Sequence, residues 1–241
     1  MSKSEKSKKH RRTDTGSRLR ADRCGSRALR LSGTYLRWET FYRKEKNYFV
    51  LTTNVDHQFY KAGFAPERIF ATQGDYGMIQ CEKGCHPEIY DAESMFRQMD
   101  QARHDCRVPS HMVPKCPVCG GNMTMHLRCD GYFVENEAWY ATASRYDAFL
   151  EKVRRKKSVL LELGVGFNTP SIIKYPFWQM TAGNPGTTYI CINRGDAFCP
   201  QEMEEQAVCI DGDIGETLKN IINISASTPH PAKKCYNVTK Q

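Results

Sequence analysis

Tyr48-Phe49-Val50-Leu51-Thr52-Thr53-Asn54-Val55-Asp56-His57 is the stretch from which the fold of this chain can be read. Its first half is aromatic, β-branched and apolar, the composition of a buried strand, and its second half is a polar run. A strand that releases an Asn and an Asp two positions apart into the following turn is how open α/β sheets present polar groups to a ligand at their carboxyl ends. A second short strand over 67–72 follows the turn Gly63-Phe64-Ala65-Pro66 and ends at Gln73-Gly74. The ligand edge is expected at these two strand ends.

Toward the C-terminus the same alternation returns. Tyr146, Phe149, Leu150 and Val153 fall at i, i+3, i+4 and i+7, one apolar stripe of a helix expected from Ala143 onward. Lys152 to Lys157 place five basic residues at its carboxyl end, where the helix dipole favours cations. Strands are expected at 158–163, 187–192 and 207–210, and a closing helix carries Ile214, Leu218, Ile221 and Ile222. Short apolar strands alternating with helices imply an α/β fold with a mostly parallel sheet. Gly164-Val165-Gly166 follows the strand at 158–163 and precedes a helix expected to start at Pro170 with Thr169 as its cap. Glycines there let backbone amides approach phosphate or ribose oxygens.

Size and charge bound the remaining possibilities. A chain of 241 residues, 40% of them hydrophobic, can build one large domain with a small insert. Residues 1–30 hold 11 basic against three acidic residues and account for the whole net charge of +8, so the remaining body is neutral. The segment 1–33 is polar, basic and poor in apolar residues, the composition of a disordered tail. No aromatic residue interleaves its charges before Tyr35, which removes support for stacking on single-stranded nucleic acid. No apolar run reaches the roughly 18 residues of a membrane span.

From Gln80 to Cys129 short polar pieces, prolines and cysteines replace any long periodic element. Cys81-Glu-Lys-Gly-Cys85 and Cys116-Pro-Val-Cys119-Gly-Gly are two pairs with metal-ligand spacing, and the glycines of the second free backbone amides to face thiolates. Four thiolates suit tetrahedral zinc in a closed structural site. His86, Cys106, His111 and Cys129 are the alternative ligands. With no apolar signal segment ahead of its 11 cysteines, the chain is expected in a reducing, cytoplasmic compartment.

The residues Thr53-Asn54-Val55-Asp56, followed about twenty positions later by Gln73-Gly74, resemble the strand-end signature of the sirtuin family, which reads polar, Asn, apolar, Asp and then His-Gly. Gln73 stands where the family has histidine. That replacement, with Glu162-Leu-Gly-Val-Gly-Phe-Asn-Thr-Pro170, looks most like the macrodomain-linked, class M branch over roughly residues 35 to 225. The resemblance implies a Rossmann-like parallel sheet with an inserted zinc module. It implies NAD as cofactor, Asn54 at the nicotinamide-side ribose or an ordered water, Asp56 on the nicotinamide carboxamide and Gln73 beside them. It also implies contacts from Thr53, Gly164, Val165, Gly166, Phe167 and Asn168, from Asn193 and Arg194 at the adenosine ribose, and from Asp211, Gly212, Asp213 and Ile214 at the adenine edge.

A glutamine amide has no usable basicity near neutral pH. Gln73 therefore argues against deacylation and for transfer of ADP-ribose to a protein nucleophile, with a lipoyl-carrier protein as acceptor and a macrodomain partner implied by the branch. An NAD-dependent deacylase and a catalytically degenerate zinc-bearing binding module are the alternatives. The family's Gly-rich turn after a first strand has no counterpart here, since Cys24-Gly25-Ser26 follows no strand and precedes no apolar helix. The expected organisation is an N-terminally shortened NAD-binding domain from 34–78 and 135–225, a zinc-binding module over 79–134, the tail 1–33 and a flexible tail over 226–241.

Overall fold

A computed structural model describes residues 47–227. The tail expected over 1–33, the short helix suggested by Leu36, Phe41 and Tyr42 with Trp38, and residues 228–241 of the tail expected over 226–241 lie outside the described residues, while Ala226 and Ser227 belong to the last helix rather than to a flexible tail.

Two groups of parallel strands form the α/β part. Strand β1, Val50–Thr52, pairs with β2, Ile69–Ala71. The four-residue helix α1, Gln58–Lys61, and a 3-10 turn at Pro66–Arg68 connect them. Ala62, Phe64 and Ile69 are buried between these elements, with Tyr48, Val50, Phe59 and Tyr60 packed around them. The second group orders β6, Ser158–Leu163, then β7, Thr187–Asn193, then β8, Ala207–Asp211. Its core centres on Tyr189, Cys191 and Met203, against Leu160, Phe177 and Trp178. Helix α4, Lys174–Ala182, covers it, and α5, Ile214–Ser227, follows β8 with Leu218 buried.

Between the two groups in the chain comes an antiparallel sheet in the order β4, β3, β5, made of Tyr90–Asp91, Gly74–Cys81 and Met123–Leu127. Helix α2, Glu93–Gln101, follows β4. The eight-residue β3 starts where the second strand was expected to end, at Gln73-Gly74, and runs through residues for which no element was expected. Its opening residues Gly74-Asp75-Tyr76-Gly77 are poor strand formers, and its register with β5 shifts between Asp75 and Ile79. Gly74 is required here. Its φ is +95°, and a Cβ would stand 1.9 Å from the His126 carbonyl oxygen across the β3–β5 pair. Buried Gln80 closes the sheet, its amide donating to the Tyr132 carbonyl at 2.7 Å and its oxygen accepting from Val134 N at 3.0 Å.

Helix α3, Glu137–Val153, starts six residues before the expected Ala143. Asn136 caps it, its side-chain oxygen accepting from Trp139 N at 2.9 Å. The stripe read from the sequence packs on the first strand pair: Phe49 meets Tyr146 at 5.3 Å and Phe149 at 5.6 Å, and Phe70 meets Trp139 at 5.0 Å. Asn136→Ala removes the cap and is expected to cost about 1 kcal/mol in chemical denaturation, with the slope against denaturant unchanged. Among the described residues no helix is long and apolar enough to cross a membrane.

Candidate functional site

The polar run after β1 folds back on itself. Asn54 N donates to Thr52 Oγ1 at 3.0 Å. The Asp56 carboxylate accepts from Gln58 N at 3.2 Å, while the Asp56 carbonyl accepts from the Gln58 side chain at 3.1 Å. This side-chain turn fixes Asp56 at the entry to α1. An open pocket forms there, lined by Asn54, Asp56, His57 and Tyr60 from the first connection and by Gly74 and Asp75 from the start of β3. Gln73 lies in the turn between β2 and β3, beside the pocket, with its carbonyl accepting from Arg128 N at 3.0 Å.

Two residues that carried no role in the sequence reading complete this pocket. His57 Nδ1 is paired with Asp75 Oδ2, and the imidazole stacks on the Tyr60 ring at 4.4 Å. Asp75 is held in turn by Gly77 N, which donates to its other oxygen at 2.7 Å. Burial, then the Asp75 charge, raises the Tyr60 hydroxyl above its ordinary pKa. The available signal was the polar run itself, which ends on a histidine, but its partner lies 18 residues away behind a second strand.

The other predicted contacts gather at the carboxyl ends of β6, β7 and β8. Gly164 turns the chain with φ +63°, donates its N–H to the Ile192 carbonyl at 3.0 Å and packs against Ile214. Val165 accepts from the Asn193 side chain at 3.4 Å. No heavy atom lies within 4 Å of where a Cβ on Gly166 would point, which leaves its backbone approachable. Exposed Phe167 stacks on Phe198 at 5.4 Å, and Asn168 is exposed beside it. Arg194 pairs with Asp213 at 3.2 Å, and Asp213 also caps α5 through Glu216 N at 3.0 Å. Asp211 accepts from Gly195 N at 2.7 Å. Thr53 follows β1 directly and stays with the first group. Helix α4 begins at Lys174 rather than Pro170, because 170–173 form turns and Ile173 takes the capping position without a side-chain bond.

Lys174 is fully buried, its Nζ 2.5 Å from Glu162 Oε1 in β6. Tyr189 donates to the other Glu162 oxygen at 2.8 Å. Phe167, Trp178 and Phe198 surround the ammonium at 5.2, 5.6 and 5.8 Å. The loops after β6 and β7 therefore share one buried cation.

Cys81, Cys85, Cys116 and Cys119 form a separate cluster with all four sulfurs within 4.8 Å of one another. Cys81 and Cys119 are 3.7 Å apart and Cys85 and Cys116 3.6 Å, close to the roughly 3.8 Å edge of a tetrahedron with metal–sulfur bonds of about 2.3 Å. Cys119 N points at Cys116 Sγ at 3.5 Å, the amide-to-thiolate contact of a knuckle. Of the alternative ligands, His86 reaches the cluster edge with Nδ1 3.1 Å from Cys85 Sγ, while its Nε2 engages the Tyr90 hydroxyl at 2.9 Å. Cys106, His111 and Cys129 are exposed and outside the four-sulfur set.

No family model matches the chain. It is 32% identical over 184 residues to a protein ADP-ribosyltransferase of Staphylococcus aureus, an alignment covering 76% of this chain and 58% of that relative. It is also 32% identical over 185 residues to a probable bifunctional ADP-ribose hydrolase/ADP-ribosyltransferase of Fusarium oxysporum f. sp. cubense, covering 70% of this chain and 30% of that one. The chain thus spans little more than half the length of the first and less than a third of the second. Among solved structures, a Sir2 mutant with a p53 peptide and NAD superposes with a TM-score of 0.55 at 15% identity, over 84% of this chain and 75% of that chain. A structure addressing sirtuin substrate affinity gives 0.52 at 16% identity, over 82% and 72%. At such identities the likeness is one of fold.

Proposed function

The chain belongs to the sirtuin family, and from that premise we propose that it is an NAD-dependent protein ADP-ribosyltransferase of the class M branch. The observation that carries the reading is the pocket at the end of β1, where Asn54 and Asp56 converge while the neighbouring strand end offers Gln73 in place of a histidine. The donor set fits a nicotinamide-bearing ligand: an Asn amide and an Asp carboxylate suit a ribose hydroxyl and a carboxamide. Gly164 and Gly166 bring approachable backbone to the carboxyl ends of β6 and β7, where phosphate and ribose oxygens are usually held. NAD supplies the ADP-ribosyl group and a nicotinamide leaving group. Asn54, Asp56 and Gln73 orient it; Gly164, Val165, Gly166, Phe167, Asn168, Asn193, Arg194, Asp213 and Ile214 hold its adenosine side.

Gln73 donates and accepts hydrogen bonds but takes no proton, so this strand end supports orientation rather than base catalysis. Deacylation, which needs a base at that position, is disfavoured, and transfer to a protein nucleophile is favoured. The names of both sequence relatives support transfer, and the solved peptide complexes support a protein substrate. The acceptor in this reading is a lipoyl-carrier protein. A macrodomain is its partner, since the Fusarium relative joins an ADP-ribose hydrolase to a transferase by name. Zinc fills the four-cysteine cluster in a structural role, because four protein ligands leave no open coordination position.

NAD titrated into the zinc-loaded chain by calorimetry is expected to bind at micromolar concentration, and Asn54→Ala to weaken binding at least tenfold, about 1.4 kcal/mol. Absence of binding would replace this reading with that of a degenerate zinc-bearing module. Efficient removal of acyl groups from lysine peptides would replace it with the deacylase.

A further inference from the structure

Gln73 leaves the pocket without a base at one strand end, but the structure places a second candidate across it. His57 has a left-handed backbone with φ +59°, uncommon for a residue with a Cβ, and its ring is fixed on one side by Asp75 and on its face by Tyr60. Asp75 is itself anchored by Gly77 N. Nε2 of His57 has no hydrogen-bond partner among the described residues, and its side chain is 46% exposed in a pocket shared with Asn54 and Asp56. An imidazole whose Nδ1 is engaged by a carboxylate presents its Nε2 lone pair in a defined direction, the arrangement that general-base catalysis requires.

We propose that His57 is the general base of this pocket, positioned by Asp75, and that the acceptor it serves is a hydroxyl group. The assignment rests on the transferase reading above. Nε2 takes the proton of the acceptor hydroxyl as its oxygen bonds to the ribose carbon of NAD. The ribose–nicotinamide bond breaks with its electron pair leaving on neutral nicotinamide, and the imidazolium later gives its proton to water. One proton is released for each transfer, and no oxidant or reductant is consumed. Asp75 touches no reacting atom; it keeps the Nδ1–H tautomer and steadies the imidazolium. A base on β1's connection rather than at position 73 opens acceptors that carry a proton at neutral pH, which Gln73 alone cannot serve.

Nitrogen-detected NMR of the histidine rings tests the dyad without NAD. His57 is expected as a single Nδ1–H tautomer, driven toward the Nε2–H form by Asp75→Asn, which retains an oxygen for Gly77 N and turns its NH2 donor to Nδ1. A mixed tautomer in the wild-type chain overturns the proposal. Nicotinamide release with methanol as the hydroxyl probe tests the catalysis. Rate and O-methyl ADP-ribose yield should rise with pH. His57→Asn, a residue that tolerates the left-handed backbone, should lower the rate by about 10²–10⁴-fold and flatten the profile. The charged and titratable groups around His57 are Asp56 in the same pocket, Asp75 on β3, Tyr60 and Lys61 on α1 and, from α2, Glu93 paired with Arg97 at 2.6 Å. Asp75→Asn should move the profile, and Arg97→Gln should not. Wild-type release that His57→Asn leaves intact overturns this assignment alone, whereas no release by the wild-type chain overturns the transferase reading and this assignment with it.

Discussion

Chelating the zinc proposed for the four-cysteine cluster, or replacing Cys116 with Ser, is expected to unfold the β3–β4–β5 sheet and to take the pocket with it. The sheet has little else to hold it. Its buried apolar side chains amount to Ile79, Ala92 and Val134 with the two cysteines Cys81 and Cys116. Such a core cannot offset the ordering of the connections between β4 and β5. Structural zinc sites in small domains contribute about 10–16 kcal/mol of apparent binding energy, most of which appears as folding energy. Strand β3 joins the cluster to the pocket: Cys81 ends it and Asp75 is its second residue. Elemental analysis should find one zinc per chain. Hydrogen exchange should show protection lost over 74–134 on chelation while β6, β7 and β8 keep theirs, and Cys106→Ser, outside the cluster, should change neither. Metal-free protein with full protection over 74–134 would show that the sulfurs are held by packing alone.

What could be read from the sequence followed the strength of the local hydrophobic signal. The run 158–163 coincides with β6, and 187–192 and 207–210 fall one residue short of β7 and β8. Each is a mainly apolar run bounded by polar or glycine residues, which marks a short strand. The cysteine spacing also sufficed to pick four thiols out of 11, and the described structure brings those four together. Strand β3 gave no such signal because its first residues are chosen for a close approach and a shifted register rather than for apolarity. The His57–Asp75 pair was illegible for a different reason. It joins a residue on the β1–β2 connection to one at the start of β3, and the parallel pairing of β1 with β2 sets their two strand ends side by side. The start of α4 was misplaced because a threonine before a proline is a good cap in general, whereas here 169–173 spend their backbone bonds in turns.

Glu162 illustrates how much a single strand position can conceal. It reads as an anomaly in an otherwise apolar strand, and nothing in the spacing points to Lys174 as its partner twelve residues on. Lys174→Met is expected to destabilise the chain by about 3–5 kcal/mol, because it strands a buried carboxylate whose remaining neighbours are the Tyr189 hydroxyl at 2.8 Å and the Cys191 thiol at 3.5 Å. Burial and the Glu162 charge already push the Cys191 thiol up to about 11 and the Tyr189 hydroxyl higher still, so neither supplies a compensating cation or a mobile proton. The double variant Lys174→Met/Glu162→Gln removes both charges and is expected to recover most of that loss. A buried ion pair is often matched in stability by well-packed neutral groups, so a double-mutant cycle in urea reports the coupling directly. A single variant costing under about 1 kcal/mol, or a double variant as unstable as the single one, would mean that the pair is not the anchor drawn here. The recovered double variant then separates stability from positioning. A lysine in the first turn of a helix opposes the helix dipole, so its presence at the head of α4 is not explained by helix stability. It is explained by the aromatic rings of Phe167 and Phe198, which belong to the loops after β6 and β7 and meet over its ammonium. Without that cation the stack loses the charge it closes on, and hydrogen exchange at 164–168 and 195–199 should quicken in the double variant although its melting temperature stays near that of the wild type.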